Sequence, residues 1–595
     1  MADSAAHAVG GRFLLDACGA RPIFIPENLD ENQLALAEMT REFSRRETFA
    51  VTERIEAKEA GLLPELIRKA GGLGLLMAEI PEAHGGLGLS KVTSTVIAEN
   101  MTCQGSFSVA FTCHTGIGTL PLLYYGTEEQ KAKYLPKLAT GEMIGAYALT
   151  ESESGSDALA ARTRAVLSPD KKNYILNGEK MYCTNGGIAD IITVFAKVDG
   201  DKFTAFIVKR GTPGFSTGKE EEKMGLHGTS TVTLILNDAV VPVEDVLGQV
   251  GRGHKIAFNT LNIGRFKLGA ACVGSSKRMI EAIAPQANQR HQFGKPIGSF
   301  ELIRQKIARI ACRTWLLESL VYRYAGDLDA SLDALDKKAA DYFDRVHDAI
   351  EELSVEGAIA KVYGSEALSF TSDESVQIFG GSGFIGGYVV EQEYRDCRVN
   401  RIFEGTNEIC RLIIPGTLIK RALKGRIPMM ERLGEVLGGM KSGFEASKRP
   451  APFGALVDQV EGLKRLVIYV TGVAVQKLGE GIKERQAVAE VIADLAIESY
   501  AFDSGVARAI AVMEGEEAEK ALRCAAICEA GLSERVPQLI ARARQALINI
   551  AGGDEKEFTP YLKGLSRLIQ PIAADTDKIY DSIASRILEH EGYDL

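Results

Sequence analysis

The chain has 595 residues, 46% hydrophobic and 25% charged, with a formal net charge of −10. That length exceeds a single core and implies roughly three to five domains. The balance is that of a globular protein rather than a disordered or collagenous chain. The acidic excess excludes broad nucleic-acid binding, which needs a basic face, and no apolar run reaches the ~18 residues of a membrane span.

The opening residues, MADSAAHAVGGRFLLDACGARP, carry Arg12 as the only base before a short apolar patch, so no secretory signal is expected. Ten cysteines lie singly apart from Cys524 and Cys528, and eight histidines are ungrouped. No metal site is expected, and the pattern suits an unprocessed, soluble protein of a reducing cytosol or matrix-like compartment.

Residues 1–143 read as a helical domain. Glu31–Ala50 is charged and Ala/Leu-rich, Leu62–Leu76 has helical spacing, and Thr127 caps a segment to Leu138. Over 144–252 the texture becomes β. Asn177-Gly178, between Tyr174–Leu176 and Lys180–Cys183, predicts a hairpin turn. Ile191–Val198, Phe203–Lys209 and Thr229–Leu236 follow as strands, without the helix-length connections that parallel βαβ units need. Helices return over 253–425, with patterns at Ile256–Ala287, Phe300–Tyr324, Ser331–Ser369 and Asn407–Leu423. A linker at 426–452 precedes an all-helical extension, 453–595. The expected fold is mainly α with a central, barrel-like β domain and a helical bundle.

Gly380–Gly387, GGSGFIGG, formally matches the dinucleotide pattern G-x-G-x-x-G from Gly381, with Glu404 where a ribose-binding acid would stand. That pattern has mechanical meaning only between a strand and a helix. Here Val355–Phe379 is helical in spacing, so the glycines read as a helix–helix turn. Downstream, Thr406 can cap the helix that begins near Asn407. Glu404 then offers a carboxylate, with a backbone N–H, at a helix start. A carboxylate so placed can take a carbon-bound proton while an N–H polarises a carbonyl. A favourable dipole interaction is the plainer alternative.

GGSGFIGGYVVEQEYRDCRVNRIFEGTNEICRLII resembles the C-terminal signature of the acyl-CoA dehydrogenase family. YALTESESGSDALAARTRA and GEKMYCTNGG resemble its central motifs, and NQRHQFGKPI a third. The resemblance covers about 30–425. It implies an FAD enzyme in which Tyr147, Leu149, Thr150, Gly155 and Ser156 line the flavin, and Tyr182, Cys183 and Thr184 flank its ring. Tyr182 stands where many members have tryptophan. Arg290, Gln292 and Phe293 would reach the diphosphate region of the neighbouring subunit's FAD. Gln377, Gly380 and Gly381 would contact its adenosine half, and Thr406, Asn407 and Glu408 the flavin. Phe300-Glu301 departs from the family pattern and is left unassigned.

The resemblance further implies α,β-dehydrogenation of an acyl-CoA, with Glu404 as the base. Members that carry the base elsewhere place it just before the position of Arg265; here that residue is Gly264, which leaves Glu404. Ser156, Asn262, Arg265, Phe403 and Gly405 would meet the substrate. The extension resembles that of the very-long-chain branch, which implies a homodimer that passes electrons to electron-transfer flavoprotein. An acyl-CoA oxidase and a respiratory-complex assembly or scaffold protein are the alternatives. Met429, Leu433, Val436, Leu437, Met440 and Phe444 form one stripe that either touches a membrane peripherally or packs on its own protein, the latter being favoured.

Overall fold

The computed structural model describes residues 9–337, 339 and 341–595. The N-terminal helices include Glu31–Phe43, Leu62–Gly72, Lys91–Asn100, Gly105–Cys113 and Glu128–Thr140. Asp30 and Thr127 open two of them with reciprocal caps to Gln33 and Gln130. The first helix stops short of Ala50. Ser44–Thr48 forms a wide five-residue turn, in which Thr48 Oγ1 donates back to the Ser44 carbonyl, a bond that loosens regular helix.

The β domain is one mixed sheet. Its strands are β1 (Gly145–Ala148), β2 (Arg164–Leu167), β3 (Asn173–Thr184), β4 (Ile191–Val198), β5 (Lys202–Lys209), β6 (Phe215–Glu220), β7 (Thr231–Pro242) and β8 (Val246–Leu247). Their order is β6-β7-β3-β2-β4-β5-β8, with β1 also on β4. β1 and β2 both run parallel to β4 without a helical crossover. The expected hairpin at Asn177-Gly178 does not form: both residues lie inside the twelve-residue β3. Gly178, at φ 149°, marks a bulge, and a Cβ there would meet Thr163 Oγ1 at 2.6 Å. Asn177 instead exchanges hydrogen bonds with Asp238 on β7. The glycine serves a close backbone approach rather than a chain reversal.

Four long helices follow, Gly253–Gln289, Glu301–Asp333, Ser354–Phe379 and Asn407–Leu423. The pattern read across 331–369 divides, with a separate helix at Tyr342–Glu352. The first and third helices cross where Gly269 faces Gly364, a Cβ on Gly364 lying 3.3 Å from the Gly269 Cα. GGSGFIGG is the expected turn between helices: Gly380 reverses the chain at φ 61° and Val389–Asp396 resumes helix.

The extension packs its helices Phe453–Leu478, Gln486–Glu514, Ala518–Ile550, Glu555–Leu568 and Thr576–His590 against this bundle. Buried ion pairs stitch the two: Arg323 to Asp503 at 2.6 Å, Arg411 to Asp494 at 2.7 Å and Arg508 to Glu318 at 2.7 Å. Residues from Gly10 to Glu27 lie along the seam as a strap. Gly11 N donates to Glu356, Arg21 pairs with Asp327, and Lys464 donates to the Asp16 carbonyl. The linker forms a helix, Met429–Ser442. Most of its stripe packs on its own protein: Met429 and Val436 are buried, Leu433 meets Gly472 and Met440 meets Gly564, while Leu437 is exposed. No described helix is long and apolar enough to cross a membrane.

Candidate active site

Glu404 sits in left-handed backbone, φ 59°, with Gly405 at 84° directly after it. For a side chain other than glycine this conformation is strained, and such strain persists only where the surroundings impose it. Here they do. Arg265 Nε donates to the Glu404 carbonyl at 3.0 Å, while its Nη1 donates to Asn262 Oδ1 at 2.9 Å. Thr406 accepts from Ile409 N and starts the next helix. Among the described residues the Glu404 N–H has no acceptor, and Oε2 is buried without a partner. Burial raises the carboxyl to about 7, against the opposing pull of Arg265 and Lys361. An unpaired carboxylate poised near neutrality is a proton acceptor in waiting.

That carboxylate lies at one end of a tunnel. Three chain segments line it, each with one face. On the Gly253–Gln289 helix the face is Gly264, Leu268, Ala271 and Ser275. On Gly105–Cys113 and the turn after it, the face is Gly105, Ser108, Thr112 and Gly116; on the third segment it is Glu393, Asp396, Asn400 and Glu404. These are helical spacings of three and four. The segments run in register. Gly264 touches Glu404, Gly116 neighbours Lys267, and Gly105 neighbours Asp396 at the far end. Eleven residues of helix separate the ends, about 16 Å. Lys267 flanks the near end, paired at 2.5 Å with buried Glu79.

The β domain closes the near end. Cys183 is buried with its thiol on the Tyr147 carbonyl, and Cys113 reaches the Thr184 carbonyl at 3.7 Å. Tyr182, at φ 57°, swings its ring outward and leaves it 60% exposed. Lys180 is fully buried and holds the Leu149 carbonyl and Glu151. Glu151 in turn accepts from Arg162 N and from Thr163, which fixes the loop carrying Thr150, Gly155 and Ser156.

The structure therefore brings Thr184, Phe403 and Glu404 to one cavity, with Tyr147, Cys183, Arg265, Asn262 and Gly405 immediately behind. Leu149, Thr150, Gly155, Ser156 and Tyr182 form an adjoining, more open face, with Gly155 and Ser156 exposed. Asn407 is buried, and its amide is engaged by Lys361, Ser365 and Glu366; Glu408 is exposed. Arg290, Gln292 and Phe293 are exposed around a tight turn, as are Gln377, Gly380 and Gly381. Within one chain neither of these two groups lines the tunnel. Sequence reasoning missed Lys361, whose buried amine is lowered to about 8 by burial. It also missed the tunnel's far end, although the small residues Gly264, Ala271 and Ser275 on one helical face were a signal.

Models of the acyl-CoA dehydrogenase N-terminal, middle and C-terminal domains match residues 30–142, 146–239 and 251–418, and a further C-terminal domain model matches 462–567. The chain belongs to the acyl-CoA dehydrogenase family. A probable acyl-CoA dehydrogenase of Bacillus subtilis is 41% identical over 588 residues, 98% of either chain. The human mitochondrial very long-chain specific acyl-CoA dehydrogenase is 38% identical over 388 residues, 64% of this chain and 55% of that one. Among solved structures, an acyl-CoA dehydrogenase complexed with FAD from Bacillus anthracis superimposes with a TM-score of 0.96, at 41% identity over 99% of this chain and all of that one. Butyryl-CoA dehydrogenase of Megasphaera elsdenii matches with a TM-score of 0.60, at 32% identity over 66% of this chain and 99% of that one.

The enzyme is an FAD-dependent oxidoreductase, as its family implies. The residues present fit that cofactor. An aromatic ring stands exposed beside the tunnel, the fixed loop around Thr150 offers hydroxyl and backbone groups, and open space surrounds Gly155, Gly380 and Gly381.

Proposed function

We propose that this acyl-CoA dehydrogenase converts long- or very-long-chain acyl-CoA to trans-2-enoyl-CoA in fatty-acid β-oxidation, with Glu404 as the base. The observation that carries the reading is the buried, partnerless Oε2 of Glu404 beside an unpaired backbone N–H at the tunnel's near end. The α-proton of a thioester is weakly acidic. Its removal needs the carbonyl polarised, and the Glu404 N–H is the chain's own donor for that. Arg265 keeps this N–H and the carboxylate in register by gripping the carbonyl between them and Gly405. Bound FAD would supply the hydride acceptor for the β-hydrogen. Tyr147, Leu149, Thr150, Tyr182, Cys183, Thr184 and Thr406 would hold its ring. Phe403 and the tunnel walls exclude water, which strengthens each of these contacts.

Arg290, Gln292, Phe293, Gln377, Gly380 and Gly381 have no role within one chain's tunnel, which supports a homodimer whose subunits share each FAD. Electron-transfer flavoprotein is the proposed acceptor. Anaerobic titration of the yellow protein with acyl-CoAs of graded length tests the proposal by bleaching of the flavin band. A length optimum near fourteen carbons is expected, from about 16 Å of tunnel beyond the α-carbon; no bleaching with any thioester would refute it. Hydrogen peroxide formed in step with substrate loss in air would replace the dehydrogenase by an oxidase.

A further inference from the structure

The far end of the tunnel is polar, where a plain hydrocarbon tail would need it apolar. Glu393 and Asp396 line it and are each 5% exposed. Asp396 Oδ1 accepts from Leu226 N at 2.5 Å, but Oδ2, beside Gly105, receives no hydrogen bond among the described residues. Glu393 meets the Ser275 hydroxyl and, at a long 3.4 Å, Arg278. The Asn400 amide reaches only the Cys272 sulfur, at 3.8 Å. Hydrocarbon laid against these groups would leave them unpaired in a buried place, which costs binding.

Their charge state narrows what they accept. Burial lifts Asp396 to about 7, so that it holds a proton well above the usual carboxylate range, and burial also raises Glu393. A protonated carboxyl donates as well as accepts. The box therefore offers both donors and acceptors to an oxygen on the chain. Its position fixes where on the chain that oxygen lies: about 16 Å of helix at roughly 1.3 Å per methylene is some twelve carbons beyond the α-carbon held at Glu404, or about the fourteenth.

We propose that Glu393, Asp396 and Asn400 select acyl-CoA substrates that carry a hydroxyl or carbonyl oxygen at about the fourteenth carbon. The inference rests on the dehydrogenase reading above and names its substrate class. A site built around hydrogen bonds to a substrate hydroxyl discriminates strongly against the analogue that lacks it.

The test compares 14-hydroxytetradecanoyl-CoA with tetradecanoyl-CoA on the FAD-loaded enzyme, with hexanoyl-CoA, too short to reach the box, as reference for each variant. The expected kcat/KM favours the hydroxylated chain by about tenfold or more in the wild type. Glu393→Gln, which keeps a donor and an acceptor, retains that preference; Glu393→Leu loses it or inverts it. If the wild type turns over the plain chain as well as or better than the hydroxylated one, the proposal is overturned, whatever the variants do. It is equally overturned if Glu393→Leu leaves the ratio unchanged. Absence of bleaching with all three thioesters is a separate result and sinks the dehydrogenase reading instead.

Discussion

Gly264 and the carboxylate of Glu404 occupy one another's space: a Cβ on Gly264 would sit 2.4 Å from Oε2 and 2.7 Å from Cδ. The helix offers bare backbone where the carboxyl of Glu404 lies against it. The helix backbone cannot yield, whereas the unpartnered end of the Glu404 side chain can move into the cavity. Gly264→Ala should therefore push the carboxylate off its working position. Misplacement of about 1 Å costs on the order of 100-fold in rate. The expected outcome is that loss in kcat/KM with the flavin spectrum retained, measured by steady-state turnover and absorbance.

Glu404→Gln removes the proposed base while preserving shape. Turnover should fall by about 10²–10⁴-fold or more, and single-turnover bleaching should slow by the same factor. An unchanged bleaching rate would show that another group takes the proton.

With Glu404 as the proposed base, a pH dependence follows. Burial raises Glu404 to about 7 from an ordinary 4.5. Only the ionised form accepts a proton, so kcat/KM should climb with pH through a midpoint near 7. Stability moves the opposite way. Between 4.5 and about 7 the folded state keeps a proton that the unfolded state has released, so stability falls as pH rises. Thermal unfolding of Glu404→Gln should exceed wild type at pH 8, and the gap should close by pH 5. Lys361→Met removes a cation that holds Glu404 down, so its activity limb should shift to higher pH.

Arg265→Lys tests the grip on the Glu404 carbonyl. Arginine serves that carbonyl and Asn262 together through two nitrogens of one plane, which a lysine point charge cannot reproduce. A drop of about tenfold in kcat, with KM changing less, is the expected result, corresponding to about 1.4 kcal/mol.

At the seam between bundle and extension, Arg508 is 3% exposed and bonds Glu318, Ser319 and Glu27 at once. Arg508→Met leaves two carboxylates short of a cation. Removing one partner of a buried pair costs about 3–5 kcal/mol, so the urea transition should move markedly downward or split into two.

Local features are legible in the sequence, and long-range ones are not. Thr406 and the helix Asn407–Leu423 follow from a cap and a periodicity that are purely local, and Thr127 is of the same kind. GGSGFIGG reads as a turn because helix spacing precedes it. Asn177-Gly178 misleads, since the same dipeptide serves a hairpin or a bulge, and only the approach of Thr163 and Asp238 selects the bulge. The Glu404 motif is readable as chemistry, but its partnerless Oε2 is not.

By itself the sequence determined the order of helix, sheet and helix, the caps, and the presence of a glutamate before a helix start. These depend on neighbours within a few positions along the chain. Tertiary structure alone decided that residues 105–116, 264–275 and 393–404 converge on one tunnel, and that its far end closes on Glu393 and Asp396. Each of those three faces repeats every three or four residues, as any core-facing helix does. Whether such a face meets packing or a void depends on the helices opposite, and their placement is set by burial across hundreds of residues rather than by the segment itself.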